Sequence, residues 1–442
     1  MKRSISLVLC LLMLAALLPM QAMAQTGTVG NKEFADKTLN IAVLEGGFGR
    51  AYWDAVVESF ERDYPGVKVN ITSSPKISDL VKPQFLAGNP PDFYYTTDVS
   101  TYAADGALLD LTDVFASQAL DKEVPLQDVI TDGFLDACKP LGDGKIYYAP
   151  SDEAIMGIWY NKTYFESKGW TAPKTWDEFF ALGDLAKAEG KALYTYQGIY
   201  PSYNEMVMFP VIASLGGMDL MKSIGTYAQG AWADENVKKA MSIYYDMAQK
   251  DYLLSGTTGM NHTQAQTEFL KGNALFCPNG TWFSGEMKDV IPESGFSFGF
   301  IAPPVFSADD QQYAQAGTSY YLIPAQAKNP ELAKEFLKYQ YTEASTILNA
   351  EKAQDITCIK GAVELAKPYI DPSIYEAFKA YDNGVKPLIM SWAAVTASSV
   401  KPSDAIWSPL TDVSNKALTV DQWSEMIESS MATLREDMEA AK

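Results

Sequence analysis

An α/β fold that divides into two lobes, each a mostly parallel sheet flanked by helices, is predicted from three observations. Strands alternate with helices between Leu39 and Tyr95, the punctuation changes at Gly142-Asp143-Gly144, and a strand running into prolines recurs at Phe296 to Pro304. A chain of 442 residues is long enough for two or three domains.

Leu39 to Leu44 has a strand's composition, and Glu45-Gly46-Gly47-Phe48-Gly49 breaks it before a helix. In that helix Trp53, Val56, Val57, Phe60 and Tyr64 form one apolar stripe, and Pro65-Gly66 stops it. Val67 to Ile71 is predicted as a second strand. Leu80 to Leu86 is a helix that ends at Gly88-Asn89-Pro90-Pro91, and Asp92 to Tyr95 is a third strand. Such a βαβαβ unit implies parallel strands with helices on both faces. Residues 25–37, small and polar, read as a mobile N-terminus.

Lys145 to Pro150 reads as a strand leaving one lobe for the other, and Phe296 to Pro304 as the return, which places hinge crossings near 145–150 and 298–303. Between them Thr175 and Glu178 have capping-box spacing at the start of a helix. Further helices are expected at 235–250, 263–271 and 422–439. Tyr320 to Pro324 is strand-like, and Asn329-Pro330 opens a helix with Leu332, Phe336 and Tyr339 on one stripe.

Asp and Glu number 55 against 35 Lys and Arg, and a formal charge of −20 argues against nucleic acid or an anionic membrane as partner. His262 is the single histidine, which counts against a His-based hydrolase, a two-His metal site or a His relay. Lys2 and Arg3 precede an apolar run from Ile5 to Met20, and Ala22-Met23-Ala24 supplies small residues, so residues 1–24 read as a secretory signal cut before Gln25. Cys10 sits inside that run without the small residue a lipid-attachment motif places before it. No later segment reads as long and apolar enough to span a membrane. Cys138, Cys277 and Cys358 have no metal-site spacing, and an odd count argues against a disulfide framework, so buried thiols are expected.

Gly295-Phe296-Ser297-Phe298-Gly299 matches the elbow of serine hydrolases, but an elbow needs a helix after it and a later histidine. Ala302-Pro303-Pro304 forbids the first, and His262 lies upstream. No phosphate loop, dinucleotide fingerprint, zinc-protease motif or calcium loop is present. Aromatics carry more information: Phe48, Tyr200, Tyr203, Trp282 and Trp392 sit beside Gly, Pro, Asn or Ser rather than on helical stripes. Aromatic rings in loops near carboxylates suit a sugar, which offers an apolar ring face and a rim of hydroxyls, although each ring also suits a core plug under a loop. Glu45 follows the first strand, Asp98 the third and Asp152-Glu153 the suspected crossing, and ligands of open α/β sheets bind outside the carboxyl ends of strands. Two facing carboxylates equally suit a glycosidase.

The order L-N-I-A-V-L-E-G-G, Y-P-G-V-K-V, L-A-G-N-P-P-D, I-W-Y-N-K-T-Y-F-E-S-K-G-W and F-L-K-G-N-A-L-F-C-P-N-G-T-W resembles the family 1 extracellular solute-binding proteins. These are the maltose-binding-like receptors of sugar ABC importers. The Glu45 to Gly49 turn with Gly88 to Asp92 is similar to the branch that binds N-acetylglucosamine or chitobiose. The resemblance implies a two-lobed periplasmic-binding-protein fold, with 38–146 plus 301–345 as the N-terminal lobe and 147–300 plus 346–442 as the C-terminal lobe. It implies sugar contacts from Glu45, Phe48, Thr97, Asp98, Asp152, Tyr200, Tyr203 and Trp282, with Trp392 matched more loosely. It further implies a periplasmic monomer that has no cofactor, metal or catalytic residues and hands its sugar to membrane permease subunits. A secreted glycan hydrolase using paired carboxylates, and a receptor for a non-sugar solute, are the competing readings.

Overall fold

β1 (Thr38–Leu44) is the axis of the first sheet, pairing in parallel with β2 (Lys68–Ser74) from Thr38↔Lys68 to Leu44↔Ser74 and with β3 (Phe93–Thr96) on its other side. This computed structural model describes residues 29–99, 102–395 and 397–441. The expected leader over 1–24, with its cut before Gln25, lies outside the described residues. All four residues of β3 are buried, as befits a strand covered on both faces. The helices Ala51–Asp63 and Pro330–Tyr339 supply one cover, with Phe60 edge-on to Phe336 at 5.0 Å.

Residues 29–37 differ from the mobile terminus expected. Phe34 is buried against Tyr64 at 6.2 Å, Lys32 pairs with Glu331 at 3.4 Å and Glu335 at 3.8 Å, and Asn329 Nδ2 donates to Asp36 O at 2.9 Å, so an aromatic side chain, ion pairs and a bond to the backbone hold the segment.

The remaining strands are β4 (Ala149–Pro150), β5 (Ala154–Asn161), β6 (Ala192–Tyr194), β7 (Ala274–Gly280), β8 (Phe298–Ile301), β9 (Tyr313–Gly317), β10 (Tyr320–Leu322) and β11 (Lys386–Leu388). The first sheet has the order β2-β1-β3-β10-β4, and the second β11-β9-β5-β7-β6 with β8 also on β5. Pairing is mixed. β10 runs antiparallel to β3 and β4, and β5 runs antiparallel to β7, β8 and β9, because these strands enter from the neighbouring sheet rather than through a helical crossover.

The return crossing is not at 298–303. Phe298–Ile301 is an internal strand on β5, and β9 also belongs to the second sheet, so the chain returns at Thr318-Ser319. The helix Glu205–Gly225 belongs to a stretch, Pro201–Gly225, that is long and apolar enough to cross a membrane, contrary to the expectation that no later segment is. Half of it is buried against the second sheet, and it bends at Gly217, whose φ of 74° interrupts the helix.

The sheets are joined at three crossings that bond to one another. Ser151 N donates to Ser319 O at 2.9 Å, Glu153 N to Ile356 O at 2.7 Å, and Cys358 N to Ser151 O at 3.1 Å. Asp152, 3% exposed, accepts from Ser151 Oγ and from Ser319 N at 2.9 Å, so one carboxyl ties the first crossing to the second. Asp355 sits beside it, accepting from Asn349 Nδ2 at 3.0 Å and Ile356 N at 2.8 Å. Burial raises the pKa of both, and the neighbouring Asp152 raises that of Asp355 further. Glu153 accepts from Thr131 Oγ1 at 3.2 Å, and burial pushes it up to about 7.

A carboxyl whose folded pKa exceeds its unfolded value holds its proton longer when folded, so stability falls as pH rises from about 4.5 through about 7 and then levels. For Glu153 the loss is roughly 3 kcal/mol. We expect a lower melting temperature at pH 8 than at pH 5, and a shallower slope in Glu153→Gln. The chain's net negative charge acts in the same direction on both proteins, so the difference in slope isolates this carboxyl. Equal slopes would remove it as the source.

Candidate functional site

The loop after β1 and the turn after β7 approach each other across the two sheets. Glu45-Gly46-Gly47-Phe48-Gly49 leaves the carboxyl end of β1, and Asn279-Gly280-Thr281-Trp282 leaves that of β7. Phe48 meets Trp282 edge-on with ring centroids 6.4 Å apart. A Cβ on Gly47 would stand 3.4 Å from the Trp282 ring. The indole folds back over its own turn, since a Cβ at Gly280 would stand 2.1 Å from Cζ3. Glycine at 280 is therefore a steric requirement of the indole's position.

Trp282 continues into a row of rings. Tyr203 lies edge-on to it at 6.5 Å, His262 is edge-on to Tyr203 at 4.6 Å, and Tyr200 stacks on His262 at 4.2 Å and 17°. Tyr200 is 46% exposed and ends the row at the surface. Pro201–Asn204 forms a single turn of tight helix that carries Tyr203, and Tyr200 N bonds back to Gln197 O at 2.8 Å. His262 opens the helix His262–Leu270 after an Asn261 capping box. Burial lowers the pKa of His262, so the imidazole is biased toward its neutral form.

Phe48, Tyr200, Tyr203 and Trp282 are thus brought together. Glu45 shares the Phe48 loop, with its Oε2 accepting from Ser73 Oγ at 3.1 Å. Thr97 is exposed, and Asp98 forms an ion pair with Lys82 at 3.3 Å. Asp152 is enclosed in the crossings described above. Trp392 packs in the second lobe, stacked on Tyr227 at 5.9 Å and tilted against Phe209 at 5.9 Å. Ser297 of the hydrolase-like motif bonds to Thr163 Oγ1 at 2.8 Å and leads into β8, not into a helix.

His262, Glu205, Gln315 and Asp355 were not singled out as site residues from the sequence. His262 carried a signal only as the lone histidine of the sequence, set in a polar stretch. Glu205 opens a long apolar helix, where an acid suits the helix N-terminus in any case. Gln315 Nε2 donates to Glu205 Oε1 at 3.1 Å, and burial pushes Glu205 up to about 7. Asp355, with Phe48, Tyr95, Ser151 and Asn349, lines a cavity of about 10 Å³ beneath the β1 loop, the space of about one water. Among the described residues no group of three or more metal-ligating side chains could hold a metal ion.

Three comparisons bear on this arrangement. The family model for bacterial extracellular solute-binding proteins matches residues 47–347. The diacetylchitobiose binding protein NgcE of Streptomyces coelicolor is 26% identical over 341 residues, covering 74% of this chain and 71% of that protein. Among solved structures, a chitin oligosaccharide binding protein superposes with a TM-score of 0.70 at 20% identity, covering 92% of this chain and all of that one. The solute-binding protein RafE in complex with raffinose gives 0.68 at 21% identity, covering 91% of this chain and 99% of that one. At these identities the structural matches establish the two-lobed fold alone.

Proposed function

Because this chain belongs to the bacterial extracellular solute-binding protein family, we propose that it captures a carbohydrate between its two sheets and delivers it to an ABC importer in the membrane. The observation that carries the sugar reading is the aromatic row from Phe48 to Tyr200, which has one member on the first sheet's loop and the others on the second. Rings from both sheets can cover the apolar faces of a sugar once the lobes meet around it. Chitooligosaccharides are the first ligands to test, given the diacetylchitobiose-binding relative.

In this reading Phe48, Tyr203 and Trp282 stack on the sugar, Tyr200 continues the row outward, and Glu45, Thr97 and Asp98 supply hydrogen bonds from the first lobe. Asp152 acts on the hinge instead of on the ligand, and Trp392 supports the second-lobe wall. The protein works as a periplasmic monomer, released from its leader before Gln25. It performs no chemistry on the sugar; Asp152 and Asp355, the two acids that meet at the crossings, are both buried there.

Calorimetry with diacetylchitobiose and longer chitooligosaccharides, alongside chromatography of the sugar afterwards, tests binding against turnover. We expect binding with the sugar recovered intact. Small-angle scattering on the same samples should show a smaller radius of gyration with sugar, as the lobes rotate about the crossings at 151–153, 318–319 and 355–357. Cleaved product would favour the hydrolase reading, and binding with an unchanged radius would contradict closure.

A further inference from the structure

In the second sheet, Gly280 of β7 faces Met156 of β5, and Met156 faces Gln315 of β9. Residues directly opposite on neighbouring strands project to the same face, and the Cβ direction of Gly280 meets the Trp282 ring. Trp282, Met156 and Gln315 therefore share one face in a single row. At a strand spacing of about 4.8 Å, Gly280 and Gln315 lie roughly 10 Å apart, with Met156 between them. The row stands at the hinge end of the sheet: β5 begins at Ala154 just after the first crossing, and β9 ends at Gly317 just before the second.

Gln315 is 5% exposed, and its Oε1 has no hydrogen-bond partner. Its Nε2 is committed to Glu205 Oε1 at 3.1 Å, so the carboxyl holds the amide with its acceptor turned away. A buried acceptor left unpaired is unfavourable and uncommon unless something else supplies a donor. The row thus has an aromatic wall at one end, an apolar thioether in the middle and an unused acceptor at the other.

We infer that Met156, Gln315 and Glu205 form, with Trp282, a second-lobe subsite for one pyranose unit, in which Gln315 Oε1 accepts from a hydroxyl or acetamido N–H of the sugar and Glu205 positions Gln315. The inference rests on the sugar-binding reading above. It makes Gln315 a specificity-determining residue: a sugar that carries the donor satisfies an acceptor left buried and unpaired in the free chain, and a sugar that lacks it forgoes that gain.

The test is calorimetry on the full chain with diacetylchitobiose, maltose and raffinose, followed by single-deoxy analogues of whichever sugar binds best. Gln315→Leu should weaken that sugar about 10- to 100-fold. One deoxy analogue should lose a similar factor with the natural chain and lose nothing further with Gln315→Leu, since the contact is already gone. Glu205→Gln keeps the side-chain shape, and carries the same comparison if Gln315→Leu does not fold. Unchanged affinity in the variant, or an equal loss for every analogue, would overturn the subsite. If the natural chain binds none of the saccharides, the sugar reading itself falls, and the subsite with it.

Discussion

Trp282→Ala is expected to weaken sugar binding by ~30-fold to several hundredfold while leaving the ligand-free protein close to its original melting temperature. Truncating an aromatic anchor in a binding site costs roughly 2–4 kcal/mol, and each tenfold in affinity is about 1.4 kcal/mol. The indole is only partly buried, and it meets its ring neighbours Phe48 and Tyr203 edge-on, at 6.4 and 6.5 Å. It packs against the edge of the second-lobe core, and its partial exposure makes the packing lost on truncation smaller than for a fully buried ring. Gly280→Val gives a second approach to the same question, because a branched side chain there collides with ring atoms that already stand 2.1 Å from a simple Cβ. It should displace the indole and lose a comparable factor without deleting it. Fluorescence or calorimetric titration, with apo melting beside it, decides the matter. A large fall in melting temperature with affinity intact would make Trp282 a core residue.

Trp159→Ala should show the opposite pattern. Trp159 is fully buried on β5, its Nε1 donates to Asn279 O at 2.9 Å, and its ring packs edge-on against Phe283, Phe298 and Phe300 at 5.3 to 6.3 Å. It therefore joins β5, β7 and β8 at one point. A buried tryptophan cut to alanine costs about 3–5 kcal/mol through lost burial and the cavity left behind, which for a chain of this length corresponds to a melting shift of about 3–6 °C. The folded fraction should keep its sugar affinity to within about tenfold, the effect of a loosened Asn279 turn being small beside the loss of the indole itself. Differential scanning calorimetry of the variant reads the first quantity and titration below its transition reads the second. A melting shift of a degree or two would contradict this role.

Local patterning and long-range contact are legible to different degrees in this chain. β1, the helix Ala51–Asp63 with its Trp53 to Tyr64 stripe, and the Thr175 capping box of Trp176–Ala188 could be read directly, since each depends on residues within a few positions of one another. The helices Glu235–Gln249, His262–Leu270 and Val420–Ala440 fall close to their expected limits for the same reason. Loop aromatics such as Phe48 and Trp282 were visible because bulky rings beside Gly and Asn break the apolar periodicity. Phe34 was missed, because one aromatic in a polar segment has no period to reveal it.

By itself the sequence determined the α/β class, the order of most elements, the acidic character of the chain and the family motifs. All of these are written in composition or in short spacings. Only the tertiary structure decided that the chain returns at Thr318-Ser319, that Asp152 and Asp355 meet among the crossings, and that Gln315 lies in one row with Met156 and Gly280. Strand register and the meeting of residues hundreds of positions apart depend on how whole sheets pack and pair, and no local window of sequence carries that information.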